Sequence, residues 1–115
     1  MKPKQFACLI ALLTFVCMAL NAQVGYTGPG PEIITVEAAK KLRDDSPVAL
    51  RGKIEKSLGD ENYLFSDDSG SIIVEIDDRL WAGISVNQND VVEIVGEVDK
   101  GFTKIEVEAS SIKKL

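Results

Sequence analysis

From Val48 onward, apolar and polar residues alternate with a period of two, and this alternation constrains the fold more than any other feature. Successive side chains of a β-strand point to opposite faces, so the pattern indicates strands with one buried face. We predict five strands, joined by turns rich in Gly, Asp and Ser and by one longer connection with a single helical turn. The strands are Val48–Glu55, Tyr63–Phe65, Ser71–Ile76, Val91–Asp99 and Phe102–Ala109, and the connection is Asp77–Gln88.

Two glycines occupy inward-facing positions in the middle of these strands, Gly52 in the first and Gly96 in the fourth. Glycine at such a position usually marks a sharp bend or a close approach of two backbones. Five short strands with such bends, and a long break between the third and the fourth, are typical of one all-β architecture. We therefore predict a five-stranded Greek-key barrel of the oligonucleotide/oligosaccharide-binding (OB) type, preceded by a short N-terminal helix.

The residues before the strands divide into three segments. Met1–Ala22 has a basic start, an uncharged apolar run and a small residue at its end, which predicts a cleaved signal peptide. Residues 23–34 are rich in Gly and Pro and predict a flexible tail. Thr35–Leu42 has apolar residues at helical spacing behind a capping threonine, which predicts a short amphipathic helix. The OB domain would then cover residues 35–115.

Removal of the signal peptide changes the chemistry that the chain can offer. Cys8 and Cys17 are the only cysteines and both lie within it, and the sequence contains no histidine. The mature domain therefore has no thiol nucleophile, no disulfide and no imidazole base or metal ligand. Lys2 and Lys4 are lost as well, which leaves 11 basic residues against 18 acidic ones and a net charge of −7. We expect no enzyme activity, no catalytic residue and no cofactor.

An OB barrel raises the question of nucleic-acid binding, which needs a positive groove and rings on which bases stack. The outward strand positions carry three basic residues against six acidic ones: Arg51, Lys53 and Lys104 against Glu55, Glu75, Glu93, Glu97, Glu106 and Glu108. A surface with this balance repels a polyanion. We therefore predict that the domain does not bind nucleic acid.

Two aspartate pairs, Asp67–Asp68 and Asp77–Asp78, could suggest a calcium site, since calcium prefers oxygen ligands. Their spacing lacks the order of a calcium-binding loop. The run Asp-Asp-Ser-Gly is also ordinary turn chemistry, in which aspartate accepts hydrogen bonds from nearby backbone. We expect no metal site.

The remaining candidates for function are ligand-binding side chains near the middle strands and their loops, where OB domains bind. The loops are Ser57–Asn62, Asp77–Asn89 and Asp99–Phe102. Six side chains offer a cation for an anionic group or a ring for apolar contact: Arg51, Lys53, Tyr63, Phe65, Arg79 and Trp81. The rings have a favoured alternative role in the barrel itself. Tyr63 and Phe65 would then line the interior with Leu64 outside, while Trp81 and Phe102 would plug an end.

Several blocks of sequence resemble the bacterial OB-fold (BOF) family of periplasmic stress-tolerance proteins, the YgiW/YdeI type. They include GYTGPG at 25–30, TVEAAK at 35–40, DDSGSI at 67–72 and WAG at 81–83. The resemblance implies a periplasmic OB domain linked to envelope stress tolerance. It brings no established catalytic residues, and it implies that nucleic-acid binding has been lost.

Taken together, these features predict a binding module of the periplasm, monomeric and not inserted in the membrane once the signal peptide is cleaved. The expected partner is a small molecule, a peptidoglycan fragment or an envelope protein. The alternative is a structural or accessory protein that acts only through protein–protein contacts.

Overall fold

The computed structural model of the protein describes residues 28–115. The elements of this part are strands β1 (Ile33–Ile34), β2 (Pro47–Gly59), β3 (Asn62–Asp67), β4 (Gly70–Glu75), β5 (Val92–Lys100) and β6 (Ile105–Lys114), helix α1 (Val36–Ala39) and a 3₁₀ turn (Asp78–Trp81). The predicted signal peptide, and the predicted tail as far as residue 27, lie outside the described residues. In residues 28–115, no helix has the length and apolar character needed to cross a membrane.

Strands β2 to β6 close into a barrel. They pair in the order β2–β3–β4–β6–β5, and β5 returns to β2. The pairs are antiparallel except for β4 with β6, which run parallel and close the ring. The five-stranded OB barrel is therefore confirmed. Ile33 and Ile34, which the sequence pattern assigned to the flexible tail, instead form β1, parallel to β2 and opposite Ala49 and Leu50.

Gly52 and Gly96 mark the close approaches of backbone that the sequence predicted. β2 pairs with β5 as far as Gly52 and with β3 from Lys53 onward, so a corner of the barrel falls between these two residues. A Cβ atom on Gly52 would collide with the backbone carbonyl oxygen of Ser66, and one on Gly96 with that of Glu108. Both positions exclude side chains because two strands cross there at short range.

The core fills the interior of the barrel with alternate apolar side chains from every strand of the ring. Its largest fully buried members are Phe65, Leu50, Ile76, Ile94, Val36, Val48, Val74, Val92, Val98 and Val107. Helix α1 adds Val36 and Ala39 to this core. Its N-terminus is capped as predicted, since the Thr35 hydroxyl accepts a hydrogen bond from the Ala38 N–H at 3.1 Å. The helix is shorter than the predicted Thr35–Leu42.

Strand β2, the first of the five predicted strands, is longer than predicted because the turn that follows it is tight. Asp60 and Glu61 both have positive φ, at 54° and 65°. Two such residues form the two-residue turn whose twist matches an antiparallel hairpin. The strand pairing therefore continues as far as Gly59 opposite Asn62, where the sequence suggested a loop from Ser57 onward.

The prediction for Phe102 is wrong. This residue was expected to plug the barrel at the start of the last strand, but β6 begins only at Ile105 and Phe102 lies in the preceding turn with a fully exposed ring. The turn is closed by a hydrogen bond from the Gly101 N–H to the Lys104 carbonyl at 2.9 Å. This closure holds the ring away from the barrel.

Candidate functional site

A groove of about 480 Å³ opens along the second half of β2, and we call it the β2 groove. One wall is Ile54–Ser57 of β2, and the other is Ile84–Gln88, which lies between the 3₁₀ turn and β5. Tyr63, Asp78 and Trp81 complete the lining. Small-ligand sites usually enclose roughly 300–1,000 Å³, so the groove is large enough to hold a ligand.

The β2 groove results from the change of partner at the barrel corner. As far as Gly52, β2 pairs with β5 along one edge. From Lys53 onward it pairs with β3 along its other edge, and β5 no longer pairs with it. Because β5 begins only at Val92, the chain between the 3₁₀ turn and β5 runs beside the second half of β2 without pairing to it. The space between these two segments is the groove.

Two of the predicted ligand-binding rings meet in the β2 groove. Tyr63 lies on β3 opposite Ser57, and Trp81 ends the 3₁₀ turn. Their ring centroids are 5.5 Å apart with an interplanar angle of 68°, an edge-to-face contact. Both rings are half-buried, since each packs against the core on one side and lines the groove on the other. The pair therefore provides an aromatic surface that a ligand can reach.

Phe65 does not belong to this surface. It is fully buried and lies opposite Ile72 of β4 in the middle of the barrel. Tyr63 and Phe65 share the inward face of β3, as the alternation predicts, but only Tyr63 lies far enough toward the end of the strand to reach solvent. The assignment of Phe65 to ligand contact is therefore corrected to a role in the core, the alternative that the sequence favoured.

Arg79 is held by its own turn. Its Nε and Nη2 atoms donate to Oδ1 and Oδ2 of Asp77, both at 3.0 Å, while the Asp77 carboxylate also accepts the backbone N–H of Arg79. These bonds hold the pKa of Asp77 at about 2. The side chain of Arg79 is 89% exposed and does not line the β2 groove. Its cation thus stabilises the turn that carries Trp81.

Arg51 and Lys53 lie apart from the rings, at a second opening of about 330 Å³ that they share with Asp67, Asp68 and Val91. The Arg51 guanidinium forms an ion pair with Glu93, its cross-strand neighbour on β5, with Nε to Oε1 at 3.1 Å. The carboxylates around this opening offset its positive charge. The six predicted residues therefore occupy four separate places, and of these only Tyr63 and Trp81 line the β2 groove.

Two of the predicted contact loops, Ser57–Asn62 and Asp77–Asn89, contribute residues to the β2 groove. The third, Asp99–Phe102, lines a separate opening with Lys100, Gly101 and Phe102. The apolar side chains of Ile84 and Val86 were not singled out from the sequence. Their alternation with Ser85 was a usable signal for an apolar wall, although only the fold shows that this segment faces β2.

The carboxylate of Asp67 is occupied by protein donors. Oδ2 accepts the N–H of Val36 at 2.9 Å, and Oδ1 accepts the N–H and hydroxyl of Ser69 and the N–H of Gly70. Burial raises the pKa of Asp67, but the hydrogen bonds from Ser69, Val36 and Gly70 together outweigh it and lower the pKa below the ordinary 3.8. Asp67 thus ties the start of α1 to the turn between β3 and β4. Residues 28–115 contain no group of three or more potential ligands that could hold a metal ion.

Replacing Asp67 with Asn is expected to lower the free energy of unfolding by about 1–2 kcal/mol at neutral pH, because the amide nitrogen cannot accept the N–H of Val36. Since the pKa of Asp67 is lower in the folded state, its contribution is complete above about pH 5 and is lost as the pH falls through the folded value. Urea unfolding across this range measures the effect. Asp68→Asn is the matched control, and a difference from wild type that persists at the lowest pH would contradict the role of the charge.

The outer surface of β4, β5 and β6 is acidic, as the sequence predicted. Glu75 lies opposite Glu108 across β4 and β6, and Asp99 lies opposite Glu106 across β5 and β6. Burial of its carboxyl group raises the pKa of Glu75 above the ordinary 4.5, and the negative charges of Glu108, Glu106 and their neighbours raise it further. Like charges placed opposite each other on a sheet destabilise it.

We expect Glu75→Gln to raise the free energy of unfolding at pH 7 by about 0.5 kcal/mol or less, since it removes one of these repulsions. Because the pKa of Glu75 is raised in the folded state, the folded protein binds a proton there at a higher pH than the unfolded chain does. The wild type therefore gains stability as the pH falls toward 4.5, and its difference from the variant disappears below that value. Urea unfolding at pH 7 and at a pH below 4.5 tests this, with Glu32→Gln as a control outside the acidic face. An equal difference at the two pH values would exclude the repulsion.

Comparison with known proteins places these features in a family. Residues 16–114 match the family described as bacterial OB fold (BOF) protein. The chain is 46% identical to the protein YgiW of Escherichia coli K12, over 97% of this chain and 98% of YgiW. It is 36% identical to the calcium-regulated OB-fold protein CarO of Pseudomonas aeruginosa PAO1, over 98% of this chain and 97% of CarO.

The barrel is also similar to a solved structure of the same family. The structure of ygiW from E. coli superimposes with a TM-score of 0.73 at 46% identity, and the match covers 81% of this chain and 100% of that one. The blocks of sequence that resembled the BOF family, the closed barrel and the nearly full-length matches agree. The chain belongs to the bacterial OB-fold (BOF) family.

Proposed function

We propose that this protein is an exported binding module of the periplasm that holds its ligand in the β2 groove and contributes to envelope stress tolerance. The observation that carries the proposal is the half-exposed Tyr63–Trp81 pair, set in a groove of about 480 Å³. The signal peptide predicted for residues 1–22 and the resemblance to periplasmic stress-tolerance proteins support the location and the role.

The groove suits a ligand that has an apolar face and several hydrogen-bonding groups. Its rings provide the apolar contact, while Ser57, Asn87 and Gln88 provide polar side chains along the two walls. A small molecule, a peptidoglycan fragment and a segment of an envelope protein all share this chemistry. The proposal includes no catalysis, since the chain has no histidine and its predicted mature part has no cysteine.

Trp81 is the only tryptophan in the sequence, so its fluorescence reports on the β2 groove directly. We expect a saturable change in its emission when the protein is titrated with muropeptides or short oligosaccharides. Amide shifts should map the change to residues 54–57 and 84–88. Ile84→Glu puts a charge on the groove wall at a residue that is 36% exposed, and we expect it to raise the Kd at least about tenfold.

The matched control is Ile105→Glu, because Ile105 is 38% exposed but lies on β6 outside the groove. It should leave the Kd within about twofold of wild type. If Ile84→Glu and Ile105→Glu weaken binding equally, the groove is not the site. If no compound in this panel changes the emission or the amide shifts, small-ligand binding by the groove is rejected.

The acidic surface supports the proposal that nucleic acid is not a partner. We expect no saturable amide shifts when single-stranded DNA is added at either of two salt concentrations. Binding to phosphates weakens as the salt concentration increases, because counterions are released. A saturable response that declines with salt would therefore overturn this part of the proposal.

One observation favours a second candidate function, an accessory protein that acts through protein–protein contacts. Phe102 projects fully exposed from the turn between β5 and β6, next to the acidic face. An exposed aromatic ring is a typical anchor of a protein interface. A strain lacking the protein separates the two functions when it is complemented with variants. Loss of stress tolerance with Phe102→Ser but not with Ile84→Glu would favour the accessory function, and the reverse result would favour the groove.

A further inference from the structure

We infer that the β2 groove accepts an extended polypeptide segment, which adds to the free edge of β2 as a further strand. The inference rests on the proposed function, that the groove is a binding site, and it specifies the class of ligand. It depends on the pairing of β2, on the residues that line the groove, and on their charge.

The second half of β2 has an unpaired edge. Lys53–Gly59 pairs with β3 on one side. On its other side, β5 pairs only as far as Gly52, and no other strand of residues 28–115 takes over beyond that point. Backbone N–H and C=O groups on such an edge can pair with another extended chain. Strand addition of this kind is a common mode of peptide recognition.

The β2 groove lies along this edge. On the side of β2 that β3 does not occupy, β5 begins at Val92 opposite Gly52. The segment Ile84–Gln88 precedes β5, and it lines the groove together with Ile54–Ser57 of β2. The groove therefore lies on the side of β2 whose backbone hydrogen-bonding groups have no strand partner, including the register shift between Ile54 and Lys56.

The rest of the groove lining provides contacts for the side chains of an added strand. Tyr63, Trp81, Ile84 and Val86 are apolar or aromatic, and Ile84 is 36% exposed. An extended peptide would place every second side chain toward these residues. The required peptide thus has apolar residues at alternate positions.

The charge of the groove restricts the residues at the other positions of the peptide. The groove has two carboxylates, Glu55 and Asp78, against one cation, Lys56. The chain as a whole has a net charge of −5. An acidic segment would be repelled, and a second copy of this acidic chain would be repelled in the same way. The occupant that fits is a neutral or basic segment of another polypeptide, apolar at alternate positions.

The test begins with random heptapeptides displayed on phage and selected on the purified protein. We expect the enriched peptides to alternate apolar and neutral or basic residues. We expect Ile84→Glu to bind them at least about tenfold more weakly than wild type, while Ile105→Glu binds them like wild type. Hydrogen exchange should slow at backbone amides within residues 54–57 when a peptide is bound.

Backbone methylation of a selected peptide distinguishes strand addition from side-chain binding. Only alternate N–H groups of an added strand face β2. Methylating one alternate set of amides should therefore raise the Kd at least about tenfold, and methylating the other set should change it no more than about twofold. Equal effects of the two sets would overturn the inference, as would binding that Ile84→Glu does not weaken.

The other outcomes separate this inference from the proposed function. If oligosaccharides or muropeptides change Trp81 emission but the library yields no groove-dependent peptide, the groove is a binding site and the inference fails. If neither class binds, both fail. A concentration-dependent dimer in sedimentation, with slowed exchange at residues 54–57 and no peptide, would show a second copy in the groove and would also overturn the inference.

Discussion

Phe65→Ala is expected to lower the free energy of unfolding by about 3–5 kcal/mol, the range found when a buried aromatic ring is removed from a core. Phe65 is fully buried among the apolar side chains of the barrel, so its truncation leaves a cavity as well as the loss of transfer free energy. Phe102→Ala provides the control with the same chemical change. Its ring is fully exposed, and we expect a change of about 0.5 kcal/mol or less.

Urea unfolding followed by circular dichroism measures both variants without reliance on Trp81. If Phe65→Ala is too unstable to purify while Phe102→Ala behaves like wild type, the prediction is met in its stronger form. Similar losses for the two variants would mean that the ring of Phe102 packs in the folded protein. Such a result would contradict the position of the turn between β5 and β6.

Gly96→Ala is expected to destabilise the protein by about 3 kcal/mol or more, although it adds a single methyl group to a strand. The added Cβ would collide with the carbonyl oxygen of Glu108 and lie 2.9 Å from the Cα of Ala109. These are backbone atoms of β6, so the clash can be relieved only by moving one strand of the barrel. The register shift between Val95 and Gly96 lies at the same place.

Gly101→Ala is the matched control, since the nearest atom to its added Cβ is the carbonyl oxygen of Lys104 at 3.7 Å, an ordinary contact. We expect this variant to differ from wild type by about 0.5 kcal/mol or less. Thermal unfolding is a convenient measurement, because 1 kcal/mol corresponds to roughly 4–8 °C in Tm for a domain of this size. A Tm for Gly96→Ala within about 4 °C of wild type would show that the two strands separate easily there.

Much of the barrel could be predicted from the sequence. The alternation of Val92, Ile94, Gly96 and Val98 with a second set that includes Glu93 and Glu97 predicted which side of β5 is inside, and all four are buried. This succeeds because the direction of a side chain in a strand depends on local geometry alone. The close backbone approaches were also predictable, since a glycine at an inward strand position usually marks one.

The prediction failed where the ends of elements depend on turns. The tight turn at Asp60 and Glu61 has positive φ at two residues that seldom adopt it, so β2 is longer than its sequence indicates. Phe102 was expected to plug the barrel because it opens the predicted last strand beside a turn, but the closed turn around it delays the start of β6 to Ile105. Ile33 and Ile34 become a strand only because β2 offers them a parallel partner.

The candidate site was predictable only in part. Tyr63 and Trp81 were identified because rings near the middle strands and loops of an OB domain are the expected contacts. Their separation from Arg51 and Lys53 was not predictable, since it depends on where β2 changes its pairing partner. Nor could the sequence show that the guanidinium of Arg79 would be bound by Asp77, two residues away, rather than directed to a ligand.

The sequence by itself determined the class of fold, the acidic character of its surface and the inner face of most strands, because these properties follow from local periodicity and composition. Only the tertiary structure decided that the rings of Phe65 and Phe102 have opposite environments. It also decided that β2 keeps a free edge beside Ile84–Gln88. The physical reason is that a groove lies between segments far apart in the chain. Its position is set by which strands pair and where pairing stops, and no single segment carries that information.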